Sequence, residues 1–315
     1  MASPEGSNAL AAAVYGAKDA TDRAEAARSA TACGCRRMLP SFLVVGPPRT
    51  GTTWMHEVLS RHAHLPSPTK ETRFFDRHYD RGLSWYSDHF PSSTDGKPTG
   101  EIAPTYFASP AARARIAQIL PAAKVVIIFR HPVERLVSLY RLKRAYGLLG
   151  WSLEQALERD PELMGSSQYA SHLSGWQRSF PGDQLSVNLY DDLSGNPQSF
   201  IDGVVDFVGI SRFRLHESQQ VQVAATSHFT EPRNYLATRA ATAMADWCKA
   251  RKLDNVVASV RKSNLMRLFL GGGAPFPEIP APTMRRISSL VLPEVERLEG
   301  MLGRDLSHWK TMPGC

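Results

Sequence analysis

From about residue 40 onward, apolar and polar positions alternate between two kinds of block. Short apolar runs come first: "FLVV" opening the stretch 41–46, and "KVVIIF" from Lys124 to Phe129. After Lys124 that second run carries no polar residue on either face, as a strand buried on both sides of a sheet requires. A third strand is predicted over "QLSVNLYDDL", Gln184 to Leu193. Between the runs the period lengthens. Helices are predicted over 52–62, after Pro132, around Pro197 to Val208, and in the tail from Thr283 to Leu302. Pro132 suits a first helical turn, and Leu136, Val137 and Tyr140 then keep helical spacing.

Strand and helix signals in alternation predict βαβ units and a mostly parallel sheet. "GWSLEQALERD" and "LGGGAPFPEIPAP" are expected to be loops or lids over a site at the strand ends. No internal repeat or low-complexity linker interrupts the chain after residue 40. One domain is therefore expected over 40–315, behind a flexible extension at 1–39.

Composition narrows the class. The chain has 315 residues, 43% hydrophobic and 21% charged, ordinary for a globular protein able to bury a large core. It contains no apolar run of about 18 residues, so no membrane span is expected. The first residues lack a basic start before an apolar core and carry Glu5, Asp19, Asp22 and Glu25, which opposes a secretory signal or transit peptide. Cys33, Cys35, Cys248 and Cys315 are too few and scattered for a disulfide framework. A reducing, cytoplasmic location is the expectation. A net charge of +7 favours an anionic ligand. No basic run, aromatic-interleaved basic stripe or zinc finger supports a nucleic-acid partner.

The chemistry concentrates in "GPPRTGTTW". Gly46 and Gly51 stand at the spacing of the P-loop, G-x-x-x-x-G-K-[ST], but Thr52 fills the lysine slot and Arg49 is the loop's basic residue. Such a loop aims backbone N–H groups at an anion on the following helix N-terminus. A P-loop nucleotide or small-molecule kinase also needs a magnesium-holding Asp at a nearby strand end. "KVVIIF" ends instead on Arg130, which predicts arginines and no metal around a phosphate-rich ligand. A non-catalytic nucleotide-binding relative is the other rival.

"GPPRTGTTW" together with "FRHPVERLVSLY" resembles the two phosphate motifs of sulfotransferases that use 3′-phosphoadenosine 5′-phosphosulfate (PAPS). "KETRFFD", "RGLSWY" and "GEIAPTYFASP" are similar to the heparan-sulfate-type and bacterial carbohydrate-type branch, so the resemblance spans roughly 41–210. It implies an α/β, P-loop-like three-layer fold with a central parallel sheet flanked by helices. It further implies PAPS as co-substrate, its bisphosphate PAP as product, no metal, and a hydroxyl or amine acceptor on a small molecule or glycan.

Carried to these residues, the resemblance implies that Arg49, Thr50, Gly51, Thr52, Thr53 and Trp54 hold the 5′-phosphosulfate, and that Arg130 and Ser138 hold the 3′-phosphate. Arg233 in "FTEPRNY" is similar to a loop that closes on the phosphates. Most relatives have lysine in place of Arg49. An arginine grips two oxygens but does not readily release a proton, which leaves it charge stabilisation. Glu71 matches the catalytic base, with Lys70 and Arg73 able to keep it ionised. Asp76 matches an orienting carboxylate, and Glu101 is the alternative base. Arg73 stands where the family often has histidine, and Ile102 where the heparan type has lysine. His131, in place of a usual Asp, reads as a helix-start residue. Trp85, Tyr86, Trp151, Tyr169 and Trp176 are candidates to line an acceptor cleft.

Overall fold

The structure is a computed structural model, and it describes residues 38–91, 95–224, 230–250 and 273–311. Four strands form one sheet: β1 (Phe42–Val44), β2 (Gly100–Ile102), β3 (Lys124–Phe129) and β4 (Leu185–Leu189), in the order β2-β1-β3-β4. Every pairing is parallel, with Val44 facing Ile102 on one side and Val126 on the other. Parallel neighbours need crossovers that carry the chain over a sheet face, and helices supply them. The principal ones are α1 (Thr52–Leu59), α2 (Pro110–Ile119), α3 (Pro132–Ala145), α4 (Tyr169–Ser179), α5 (Pro197–Val208), α6 (Glu217–Ala224), α7 (Tyr235–Ala250) and α8 (Ala281–Leu302).

The two-residue period of β1 and β3 builds two core layers. Leu43, Val125, Ile127 and Phe129 face a layer with Phe107, Tyr169, Trp176, Leu298 and Trp309. Phe42, Val44, Val126 and Ile128 face the opposite layer, with Trp54, Met55, Ile201 and Val205. This is the predicted three-layer α/β arrangement. Its loops at the carboxyl ends of β1 and β3 carry the motif residues.

Several boundaries differ from the sequence reading. The predicted strand Gln184 to Leu193 ends at Leu189, and Tyr190–Gly195 is helical. Asp191 and Asp192 fall in that helix's first turn, where carboxylates complement the exposed N–H groups. The first helix stops at Leu59 and not at 62. "GWSLEQALERD" contains the helix Leu153–Arg159, opened by a capping box between Ser152 and Gln155. β2 had no strand prediction, since three edge residues carry too little pattern to show one. The expected extension falls largely on residues 1–37 and lies outside the described residues, but Met38 and Leu39 already pack against the core. Among the described residues no helix is long and apolar enough to cross a membrane.

Candidate active site

The loop after β1 is shaped by two glycines with different duties. A Cβ on Gly46 would stand 2.8 Å from the backbone N and O of Ile128, so this glycine serves the close approach of loop to β3. Gly51 has φ 88 and turns the chain into α1. Arg49 also adopts a left-handed backbone, φ 77, a conformation that costs energy for a side-chain-bearing residue and clusters at functional sites.

α1 begins at Gly51 with no side-chain cap and no acidic residue in its first turn. Its N-terminal N–H groups and dipole thus favour an anion. Thr53 is exposed there, whereas Thr52 is buried. The side chains of two further candidates make contacts within the protein. Thr50 is fully buried and its hydroxyl donates to the Pro47 carbonyl at 2.9 Å, closing the loop on itself. The Trp54 indole N–H donates to the Gln219 carbonyl at 2.7 Å, tying α1 to α6, while its ring packs edge-on against Phe200.

The structure joins the two phosphate motifs directly. Arg49 Nε donates to Ser138 Oγ at 2.9 Å across 89 residues of sequence. Ser138 reaches the loop because it lies two turns into α3, on the face turned toward the strand ends. Burial first, and then the charge of Arg130, lower the proton affinity of Arg49, though an arginine in a protein stays cationic. Arg130 is held by Glu134, at 2.8 Å from Nη2, and its guanidinium stacks 4.8 Å from the Tyr190 ring. Behind both, the fully buried Arg135 donates to Ser167 Oγ at 2.5 Å and to the Leu163 carbonyl at 3.2 Å. A buried guanidinium fixed this way stiffens the base of α3.

The 67–76 segment supplies the acidic side. Glu71 is half-buried, and Thr69 Oγ1 donates to its carbonyl at 3.0 Å. Lys70 Nζ reaches Thr53 Oγ1 at 3.1 Å. Arg73 has a carboxylate partner of its own. It is the partner of Asp76, with Nη2 to Oδ2 at 2.6 Å, so Asp76 orients Arg73.

Glu101, the alternative base, presents no surface to an acceptor. It is fully buried on β2 and accepts from Thr72 N at 2.8 Å, Thr72 Oγ1 at 2.7 Å and Tyr86 OH at 2.8 Å, with Tyr106 OH at 3.2 Å. Burial raises its pKa, and the donated hydrogen bonds from Thr72 and the tyrosines oppose that rise. Glu101 thus anchors the residue next to Glu71. Sequence reasoning missed Thr72, Tyr106 and Tyr190, because nothing in their local pattern marks a contact made across the fold.

The remaining candidates separate by burial. His131 is the N-cap residue of α3, as predicted for a helix start, and burial lowers its pKa. Tyr86, Tyr169 and Trp176 are buried core residues, whereas Trp151 is 38% exposed. Arg233 is exposed on a segment pinned to α3 by Arg144 and Glu231, 2.7 Å apart. A cleft of about 260 Å³ lies beside α3, lined by Tyr140, Arg141, Arg144, Glu231 and Phe276 among others.

Comparison with known proteins follows the same residues. The family model described as Sulfotransferase domain matches residues 39–256. Heparan sulfate glucosamine 3-O-sulfotransferase 6 of Mus musculus is 28% identical over 279 residues, which covers 86% of this chain and 74% of that protein. Bifunctional heparan sulfate N-deacetylase/N-sulfotransferase 2 of Bos taurus is 33% identical over 198 residues, 56% of this chain. The matched stretch is only 22% of the bovine protein's length. The crystal structure of a sulfotransferase from Alicyclobacillus acidocaldarius superposes with a TM-score of 0.62 at 19% identity, covering 87% of this chain and 99% of that one, and shows the shared fold.

Proposed function

Since this chain belongs to the sulfotransferase domain family, we propose that it moves a sulfuryl group from PAPS to a hydroxyl of a carbohydrate acceptor and releases PAP. The observation that carries the reading is the Arg49–Ser138 hydrogen bond at 2.9 Å. It joins the two phosphate motifs, one carrying an uncapped helix N-terminus and the other Arg130, whose charge acts on Arg49. These donors fit a nucleotide bearing anionic groups on both its 5′ and 3′ positions. When bound, PAPS supplies an activated sulfuryl group and a good leaving phosphate.

The residues divide the work by position. Arg49, Gly51 and Thr53 meet the 5′ end; Arg130 and Ser138 meet the 3′-phosphate; Glu71 receives the acceptor proton. Arg49 faces charge that develops on the bridging oxygen, so it favours the transition state over the ground state. A glycan acceptor is supported by the substrates named for the mouse and bovine relatives and by the aromatic and charged lining of the cleft beside α3. Arg233 is assigned a closing contact on the nucleotide. The kinase alternative is not favoured, because Thr52 stands in the lysine slot.

Calorimetry with PAP, ATP and adenosine 5′-phosphate tests the nucleotide, and labelled PAPS with chemically desulfated heparin tests the transfer. PAP is expected to bind far more tightly than ATP. Arg130→Ala is expected to cost about 1.5–3 kcal/mol of PAP affinity, the worth of a charge-assisted hydrogen bond, and to leave adenosine 5′-phosphate nearly unaffected. Equal affinity for ATP and PAP overturns the reading.

A further inference from the structure

The lysine slot, filled by threonine, leaves a question that the loop itself does not answer. Thr52 occupies it and is buried, and Arg49 has no proton to give. We propose that Lys70 supplies the missing function from the neighbouring segment: it grips the 5′-phosphosulfate and hands a proton to the bridging oxygen as the sulfur–oxygen bond breaks. This rests on the sulfotransferase reading above.

Position is the first argument. The Lys70 ammonium stands 3.1 Å from Thr53 Oγ1, at the second residue of α1. That is the helix end where N–H groups and the positive dipole converge on an anion. A lysine has three donors, and here one goes to a hydroxyl. Its hydrogen-bond partner is therefore neutral, although the ammonium is half-buried. A partly desolvated ammonium held by a hydroxyl gains most from an arriving anion.

The charged groups around it supply the second argument. Glu71 adjoins Lys70 in the chain, Arg49 approaches from the phosphate loop, and His56 from the next turn of α1. Burial lowers the Lys70 pKa, the carboxylate of Glu71 raises it, and the charge of Arg49 lowers it again, for a net downward shift. A lysine in that condition releases a proton more readily than an exposed one, and an arginine does not.

The proton balance closes between adjacent residues. Glu71 takes the acceptor proton as the acceptor oxygen's electron pair bonds to sulfur. The broken S–O pair stays on the phosphate oxygen, and Lys70 gives that oxygen its proton. Glu71 is then neutral and so is Lys70, and one proton passed from the first to the second resets both.

The test uses the full chain and PAP, so that it does not depend on the acceptor. PAP binding is measured by calorimetry in buffers of different ionisation enthalpy, from about pH 7 to 10, the range below an ordinary lysine pKa. The wild type is expected to take up a proton on binding in the alkaline part of that range, because the phosphate favours the ammonium form. Lys70→Arg should bind PAP within a few-fold and take up none. Lys70→Met should bind about tenfold more weakly, the equivalent of one charge-assisted hydrogen bond. Hydrolysis of PAPS by Lys70→Arg should fall by about 10²-fold and lose its alkaline limb, as expected for loss of a general acid. Uptake that persists in Lys70→Arg belongs to another group such as His56 and overturns the proposal. So does Lys70→Met binding PAP as the wild type does. If the wild type fails to bind PAP, the family reading falls first and this inference with it; if only the variants match the wild type, Lys70 alone is refuted.

Discussion

Two carboxylates lie within one small region, and the fold treats them oppositely. Glu71 sits half-buried on the 67–76 segment beside Lys70. Glu101 lies on β2 at 0% exposure, enclosed by Thr72, Tyr86 and Tyr106. Thr72 connects them: it follows Glu71 in the chain and donates both its N–H and its hydroxyl to Glu101. One carboxylate thus fixes, through Thr72, the segment that carries the other. The difference teaches that a base is defined by what its oxygens can meet. Glu101 is fully buried and already filled with donors, whereas Glu71 is only half-buried.

The largest effect expected from breaking this contrast is at Glu71. Glu71→Gln keeps the shape and removes the proton-accepting charge. Turnover with desulfated heparin should drop by about 10²–10⁴-fold, with the acid limb of the pH–rate profile lost and PAP affinity preserved. Steady-state kinetics beside calorimetry check this, and a loss within a few-fold moves the base elsewhere.

At Glu101 the balance should reverse. Glu101→Gln places an amide N–H₂ among groups that donate to it, and is expected to cost about 1–3 kcal/mol of stability in urea unfolding. PAP affinity should hold, and turnover measured well below the melting temperature should fall far less than in Glu71→Gln. A fully stable but inactive Glu101→Gln breaks the comparison.

The smallest effect is in pH. Burial raises the Glu101 carboxyl above its ordinary 4.5, so the native state keeps a proton that the unfolded state has lost. Stability from this group accordingly falls as pH rises through the interval between the ordinary and the raised value. Glu101→Gln has no such titration. The wild type's advantage over it should be greatest in acid and narrow as pH climbs, as unfolding curves at a series of pH values will show. An advantage that widens with pH means that the donated hydrogen bonds outweigh burial.

Much of this was legible from residue order. The apolar runs of β1 and β3 imply burial on both faces, and their alternating side chains fill two separate core layers. Pro132 opens α3, and the spacing from Arg130 to Ser138 already required a strand end and a point two turns into a helix. The loop's departure from the P-loop, with Thr52 for lysine, pointed away from a kinase before any contact was known. These are local rules of period, turn and spacing, and a single chain read in order is enough to apply them.

What the tertiary structure alone decided are the matters of neighbourhood. Gly46 and Gly51 look equivalent in the loop, yet one is needed by the backbone of β3 and the other by its own turn. Thr50 and Thr53 are the same residue type three positions apart, and one faces Pro47 while the other faces Lys70. Glu71 and Glu101 are each a glutamate in a polar-flanked segment. Only the pairing of β2 against β1, which packs Glu101 beneath Thr72 and two tyrosines, separates anchor from candidate base. The reason is physical: burial and hydrogen-bond satisfaction depend on groups brought together from distant parts of the chain, and local sequence does not encode who those neighbours will be.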